Sequence, residues 1–258
     1  MDAHPRRWAL AATALVLALT VPGCAGSTGA GGPTGPTRPA TASPSAPAGR
    51  LSQERLRLAL LSLADLPDGW AADSAEAARE RGIGVPEPSG EPCRALFRVA
   101  AGARAHARFA RTGTGPFLVV RTGSHPDADA AAHALAAFRG AARQCPAFQV
   151  AEGPAGAGGT AGYQAEPADP PRLGDDSAAL RFVREPAGGS RVTVVADVLY
   201  VRIGPHTVHL AHAARDGDDG GGADGFAVLA RRAVDKLREA ASGRTPSPAE
   251  SFPGATRL

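Results

Sequence analysis

The sequence predicts an α+β domain in which helices pack against one face of a single antiparallel β-sheet. Segments with a helical spacing of apolar residues stand near the start, in the middle and at the end of the domain. Five short β-rich segments run together between the last two of these helices. The turns between the last three segments are too short for crossover connections, so their strands are expected to pair as antiparallel hairpins.

The first predicted helix runs from Ser52, its N-cap, to about Leu63, and Leu56 and Leu60 share one helical face with Leu63. A turn is expected at 66–69, where a proline and a glycine occupy positions that β-turns favour. The helix therefore gives way to a reversal of the chain.

The middle of the domain combines a hairpin with the clearest helix. Cys93–Ala101 is predicted to be a helical turn or two, and 104–122 to be a hairpin around the turn-forming residues 112–115. A helix is expected from Pro126, because acidic residues occupy its first turn and arginines its last. Its predicted buried face consists of Ala131, Leu135, Phe138, Ala142 and Cys145.

The second half of the domain is rich in β-formers and closes with a helix. Strands are expected at 148–151, 162–165, 178–184, 191–203 and 206–213. An acidic glycine loop follows them. A closing amphipathic helix is marked by Phe226, Leu229, Ala233, Leu237 and Ala240.

The amino terminus has the features of a lipoprotein signal. Arg6 and Arg7 precede an apolar run that is too short to span a bilayer, and Gly23 stands just before Cys24. We expect cleavage before Cys24 and lipidation of its thiol, which would hold the protein on the extracytoplasmic face of the cell membrane. The alternative is an ordinary signal peptide with a chance cysteine.

The composition divides the chain into four parts. Residues 1–23 form the predicted signal peptide, and 24–50 form the lipidated cysteine with a disordered tether of Gly, Pro, Ser and Thr. Such a tether spans about 25 to 35 Å as a flexible coil. Residues 51–243 form the predicted single domain, and 244–258 form a disordered tail.

The two other cysteines, Cys93 and Cys145, are predicted to form a disulfide, because the compartment outside the membrane is oxidising. A metal pair or reactive thiols are the alternatives. A metal requires more ligands than two isolated cysteines, and no Cys-x-x-Cys spacing supports redox chemistry. The pair is therefore expected to be structural.

The net charge excludes a nucleic-acid partner. Loss of residues 1–23 removes two arginines and one aspartate, which lowers the basic count from 28 to 26 and the acidic count from 25 to 24. A surplus of about two positive charges provides no electrostatic footprint for nucleic acid.

Two short motifs carry a family resemblance. Asp65-Leu66-Pro67-Asp68-Gly69-Trp70 follows a leucine pair, and Arg202-Ile203-Gly204-Pro205-His206-Thr207-Val208 leads to a further leucine. Over roughly 51–242 the chain resembles PknH-like extracellular sensor domains, which occur on some actinobacterial serine/threonine kinases and as stand-alone lipoproteins. The resemblance implies an α+β fold, a cleft and an unidentified ligand. Those kinase-linked domains usually carry two disulfides, whereas this chain can form one.

Candidate binding residues are Trp70, Arg181, Arg202 and His206. Trp70 could be a ligand platform or pack the preceding turn, and the arginines could line a cleft for an anionic or hydroxylated ligand. The histidines at 206, 209 and 212 cannot meet one ion on a strand, because the middle one faces the opposite way. We expect them to be polar positions on a half-exposed sheet, with no metal and no cofactor.

No motif for nucleophilic, metal-dependent or phosphate-cradling catalysis is present in the sequence. The sequence therefore favours a non-enzymatic binding or sensor-type lipoprotein with an unknown small-molecule or envelope ligand. The alternatives are a cell-envelope hydrolase that uses a carboxylate pair, and a structural lipoprotein without a ligand.

Overall fold

The computed structural model of the chain describes residues 49–74, 81–152, 159–185, 193–216 and 222–247. They all belong to one compact unit, Ser43–Leu258, which contains the hydrophobic cores and the disulfide described below. The predicted signal peptide, Cys24, nearly all of the tether and the end of the tail lie outside the described residues.

The order of helices and strands along the chain broadly follows the sequence prediction. Within the described residues the α-helices are α1 (Gln53–Leu58), α2 (Ala128–Gln144) and α3 (Gly222–Ala241), and the 3-10 helices are η1 (Leu63–Asp65) and η2 (Cys93–Phe97). The strands are β1 (Ala71–Ala72), β2 (Ala103–Ala110), β3 (Phe117–Ser124), β4 (Ala147–Glu152), β5 (Gly159–Ala168), β6 (Asp176–Arg184), β7 (Val194–Ile203) and β8 (His206–Arg215).

The strands form one eight-stranded sheet in the order β1-β2-β3-β8-β7-β6-β5-β4, and every neighbouring pair is antiparallel. Each strand from β4 to β7 pairs with the next strand along the chain, and the pairs β6–β7 and β7–β8 are those that the short turns predict. The hairpin 104–122 forms as β2 and β3. The prediction of a single α+β domain built on an antiparallel sheet is confirmed.

Helices cover both faces of the sheet, whereas the sequence predicts helices on one face only. Leu199 and Val201 of β7 belong to the core beneath α1 and α3, and Val198 and Tyr200 belong to the core beneath α2. The reason is that the central strands carry apolar residues at successive positions, so both of their faces need cover. We call the two sides the α3 face and the α2 face.

The first helix is shorter than predicted. Ser52 caps it, because its Oγ accepts a hydrogen bond from the Arg55 N–H at 3.2 Å. The helix ends at Leu58, however, and η1 begins a new turn at Leu63, whose side chain is 47% exposed. The predicted helical face therefore holds for Leu56 and fails for Leu63.

The predicted disulfide is confirmed. The sulfurs of Cys93 and Cys145 are 1.98 Å apart and their Cα atoms 5.1 Å apart. The bond ties η2 to the C-terminal end of α2. It thereby fastens the segment before β2 onto the α2 face of the sheet.

Candidate functional site

A row of basic side chains crosses the α2 face of β2 and β3. The alanines and phenylalanine at odd positions of β2 pack into the core of the α3 face, so Arg104, His106 and Arg108 point the other way. Arg121 of β3 pairs with His106 across the strands. The hairpin register therefore brings positive charge to one side of the sheet.

The segment after η2 faces this row and encloses a cleft of about 440 Å³. Gly123 allows the close approach, because a Cβ there would lie 2.8 Å from the Cβ of Ala101 and 2.9 Å from Cγ1 of Val99. We call this space the basic cleft. It is lined by Glu87, Phe97, Arg98, Val99, Arg104, Ala105, His106 and Arg121.

The one carboxylate among these lining residues is already engaged. Glu87 accepts from the Arg98 guanidinium, with an Oε1 to Nε distance of 2.8 Å and an Oε1 to Nη2 distance of 2.6 Å. Both side chains reach water, so the pair contributes little to stability. Arg104, on the opposite side, donates a long hydrogen bond of 3.5 Å to the Val99 carbonyl.

Arg121 is the partly buried cation of the basic cleft. Its Nη1 lies 3.4 Å from Nδ1 of His209, and among the described residues no carboxylate lies within 4.0 Å of its guanidinium. The pKa of Arg121 is lowered to about 10, first because the surrounding protein displaces water and then because Arg108 is nearby, and the attraction of Glu87 opposes this shift only in part. The protein thus holds a partly buried positive charge with no carboxylate adjacent to it among the described residues.

His209 fixes the position of Arg121. Its Nε2 lies 3.2 Å from the Leu96 carbonyl oxygen, which can only accept, so Nε2 carries the proton and Nδ1 is free to accept from Arg121. Burial, followed by the charge of Arg121, lowers the pKa of His209 to about 3. A neutral imidazole therefore links η2, β8 and β3 at neutral pH.

Arg108 extends the positive charge behind the basic cleft. It donates to the Gly82 carbonyl oxygen. Its pKa is lowered mainly by burial, and the repulsion of Arg81 adds to that effect although Asp73 opposes it. The region around the basic cleft therefore favours an anion.

A second depression, of about 470 Å³, lies at the β2–β3 turn. Its arginines, Arg111 and Arg215, are exposed. Water solvates such charges fully, so they impose no requirement for a ligand. The basic cleft is the stronger candidate because Arg121 in its lining is partly buried, whereas both of these arginines are exposed.

The four predicted binding residues do not converge on one site. Trp70 is half-buried at the edge of the α3 core, with its ring centroid 6.2 Å from that of His212. Arg181 is ion-paired with Asp197 at 2.7 Å and Arg202 with Asp175 at 3.2 Å.

The positions of Arg181 and Arg202 in the sheet also keep their side chains apart. In the register of β6 and β7, Arg181 lies opposite Asp197 and Asp176 lies opposite Arg202, so the two arginines are five positions apart measured along β7. Alternation also places them on opposite faces of the sheet. They do not line one cleft.

The three histidines of β8 alternate as predicted, but they are buried rather than half-exposed. His206 and His212 lie on the α3 face and His209 on the α2 face, because helices cover β8 on both sides. Nδ1 of His206 lies 3.1 Å from Oγ of Ser124, and burial lowers the pKa of His206. Within the described part of the chain, no group of three or more His, Cys, Asp or Glu side chains is arranged to hold a metal ion.

Sequence reasoning missed the residues of the basic cleft. The alternating series Arg104, His106 and Arg108 is the signal that was available, since period-two spacing on a strand puts all three on one face. The prediction of a hairpin at 104–122 depends only on its apolar and turn-forming residues. The burial of Arg121 had no local signal, because it depends on η2 and on β8.

The comparisons with known proteins add little to this geometry. No protein-family model and no curated protein sequence matches the chain. The structure is similar to the crystal structure of the extracellular domain of PknH from Mycobacterium tuberculosis, with a TM-score of 0.46 and 11% identity over 74% of this chain and 98% of that chain. A likeness at this level carries no functional information, and membership of the sensor-domain family stays a prediction. Among the described helices, none is long and apolar enough to cross a membrane.

Proposed function

We propose that this chain is a lipid-anchored, extracytoplasmic binding protein without enzymatic activity, and that its ligand is an anion held in the basic cleft. One observation carries the proposal: the Arg121 guanidinium is partly buried in the basic cleft and has no carboxylate within 4.0 Å among the described residues, where Glu87 acts on it only from a greater distance. Burial of an uncompensated charge is costly, and a bound anion removes that cost. The charge is therefore better suited to binding than to stabilising the unliganded fold.

The proposed location is supported by the sequence and by the disulfide. The features before Cys24 are typical of a lipoprotein signal. The Cys93–Cys145 bond persists in the oxidising compartment that such a signal leads to. A Cys24→Ala variant should move from the membrane fraction to the soluble fraction, whereas retention in the membrane would contradict lipid anchoring.

The basic cleft favours binding over the two alternatives. A hydrolase of the carboxylate-pair kind needs two carboxylates across its cleft, and the lining residues include one, which is paired with Arg98. A structural lipoprotein without a ligand needs no cleft, whereas 440 Å³ lies within the usual range for ligand sites.

The test is native and denaturing mass spectrometry of the domain from Ser43 onward, produced in an oxidising compartment of a host with a related cell envelope. The wild type should retain a mass that denaturation releases. An Arg121→Met variant should be bare, and Arg143→Met, which removes an exposed arginine of α2, should retain the mass. A bare wild type that captures no anion from envelope extracts would refute the proposal, and turnover of an envelope glycan or ester would favour the hydrolase.

A further inference from the structure

We infer that the ligand of the basic cleft is a phosphate-bearing molecule of headgroup size, whose phosphate binds Arg121 and Arg104. This inference rests on the proposed function and names the ligand class for the same site. It depends on the charge of the cleft, on the donors that Arg121 has available, and on where the cleft lies in the domain.

The charge of the basic cleft matches a dianion. Three arginines and one glutamate line it, which leaves an excess of two positive charges when His106 is neutral. A carboxylate brings one negative charge, whereas a phosphate monoester brings close to two at neutral pH. Phosphate therefore neutralises the cleft with a single group.

Arg121 has the donors that a phosphate requires. Its guanidinium has five N–H groups, and the one hydrogen bond found for it among the described residues uses Nη1 toward His209. Most of its donors are thus available on a side chain whose position His209 fixes. Arginine forks match phosphate oxygens in pairs, and Arg104 lines the same cleft.

The size of the cleft favours a ligand larger than inorganic phosphate. A space of about 440 Å³ accommodates a small molecule of ordinary ligand size. Phe97 and Val99 in the lining provide apolar contact for the rest of such a molecule. A glycerol or sugar phosphate meets both conditions.

The cleft also lies at the end of the domain where the tether joins it. The Leu51 N–H donates to Oγ of Ser124 at 2.9 Å, and Ser124 pairs with Ala103. A Cβ on Gly102 would lie 2.7 Å from Nη2 of Arg50, so the chain joins the domain beside Arg104. Phosphate on the surface to which the protein is anchored is therefore one source of the ligand, and a soluble phosphate ester is the other.

The first arm of the test titrates the domain from Ser43 onward with inorganic phosphate, glycerol 3-phosphate and acetate by calorimetry. Glycerol 3-phosphate should bind, and Arg121→Met should weaken it at least tenfold. Arg121→Lys should bind with intermediate affinity because it keeps the charge and loses the fork. Arg143→Met should stay within twofold of the wild type.

Two further measurements test the same inference without disturbing buried groups: the affinity of an Arg104 variant and the pH dependence of the affinity. Arg104→Gln changes an exposed side chain, so it should fold normally and still lose affinity. Affinity should fall below about pH 6, where the phosphate ester takes up a proton. If acetate binds with the same dependence on Arg121 and phosphates do not, the ligand class is wrong and the binding function stands.

The second arm separates the two sources of phosphate. Phosphatidylcholine vesicles with and without phosphatidic acid are floated with the domain. Capture that requires phosphatidic acid and Arg121, but tolerates Arg143→Met, would identify a lipid headgroup. Binding of glycerol 3-phosphate without capture would identify a soluble ester. If neither glycerol 3-phosphate nor the vesicles bind, the inference is wrong.

Discussion

Asp65, which is fully buried, and Arg121, which is partly buried, carry opposite charges on opposite faces of the sheet, and their surroundings differ. Asp65 on the α3 side is fully buried and receives hydrogen bonds from Lys236 at 2.6 Å and Arg232 at 2.8 Å. Arg121 on the α2 side has a neutral histidine beside it and no adjacent carboxylate in the described part of the chain.

The pKa values express the same difference. Burial alone would raise the pKa of Asp65, but the hydrogen bonds of Lys236 and then Arg232 outweigh it and lower the pKa. At Arg121 the attraction of Glu87 is too weak to outweigh burial and the repulsion of Arg108, and the pKa falls to about 10. The fold neutralises the charge of Asp65 with its own side chains, whereas we propose that a bound anion neutralises the charge of Arg121.

The largest expected effect is the loss of the Asp65 charge. Asp65→Asn should lower the free energy of unfolding by about 3 to 5 kcal/mol, because Lys236 then stays buried beside a neutral group. Urea denaturation measures this. Asp235→Asn, which removes an exposed ion pair with Arg238, should cost less than about 1 kcal/mol. Equal losses in the two variants would contradict the structural role of Asp65.

Loss of the disulfide should rank second and should affect both stability and binding. The double variant Cys93→Ser with Cys145→Ser should lower the free energy of unfolding by about 2 to 4 kcal/mol, because the bond closes a loop with a sequence separation of 52. It should also weaken ligand binding, since η2 leads into the wall of the basic cleft. Asp65→Asn, measured where it is folded, should leave binding unchanged.

Acid should weaken the α3 side through Asp65. Its folded pKa is lowered from the ordinary value of 3.8, so its stabilisation is present above that value and is lost as pH falls through the folded pKa. The stability difference between the wild type and Asp65→Asn should therefore shrink on going from pH 6 to pH 3. A constant difference over that range would show that the Asp65 charge contributes nothing.

The smallest expected effect on stability is at Arg121. Arg121→Met should change the free energy of unfolding by less than about 1 kcal/mol without ligand, because the removal of a partly buried cation offsets the loss of the partner of His209 Nδ1. The same variant should lose ligand binding. A loss as large as that of Asp65→Asn would mean that Arg121 is structural, and the contrast between the two charges would fail.

The elements of this fold follow from local patterns, which is why most were predictable. Asp127 caps α2 by accepting from the Ala130 N–H at 2.7 Å, and Leu135 and Phe138 of that helix are buried as its spacing predicts. The disulfide followed from the compartment and an even number of remaining cysteines. These features depend on neighbours in sequence or on simple counting.

The arrangement of the helices and the basic cleft depend on contacts between distant residues. The hydrogen bond between His209 and the Leu96 carbonyl joins positions 113 residues apart, and no spacing of residues in the sequence predicts it. Cover on both faces is indicated in the sequence by the continuous apolar run of β7, which is typical of a strand buried on both sides. Arg181 and Arg202 were chosen as binding residues, but carboxylates brought close by the fold neutralise both.

Lys236 makes the attachment of α3 directly observable. It is the single lysine in the chain, and its side chain is 7% exposed in its pair with Asp65. Apart from the amino terminus, an amine-reactive reagent therefore has one target, which becomes accessible when α3 lifts from the sheet. The rate of modification reports how often that opening occurs, so the native sequence contains its own probe of local unfolding.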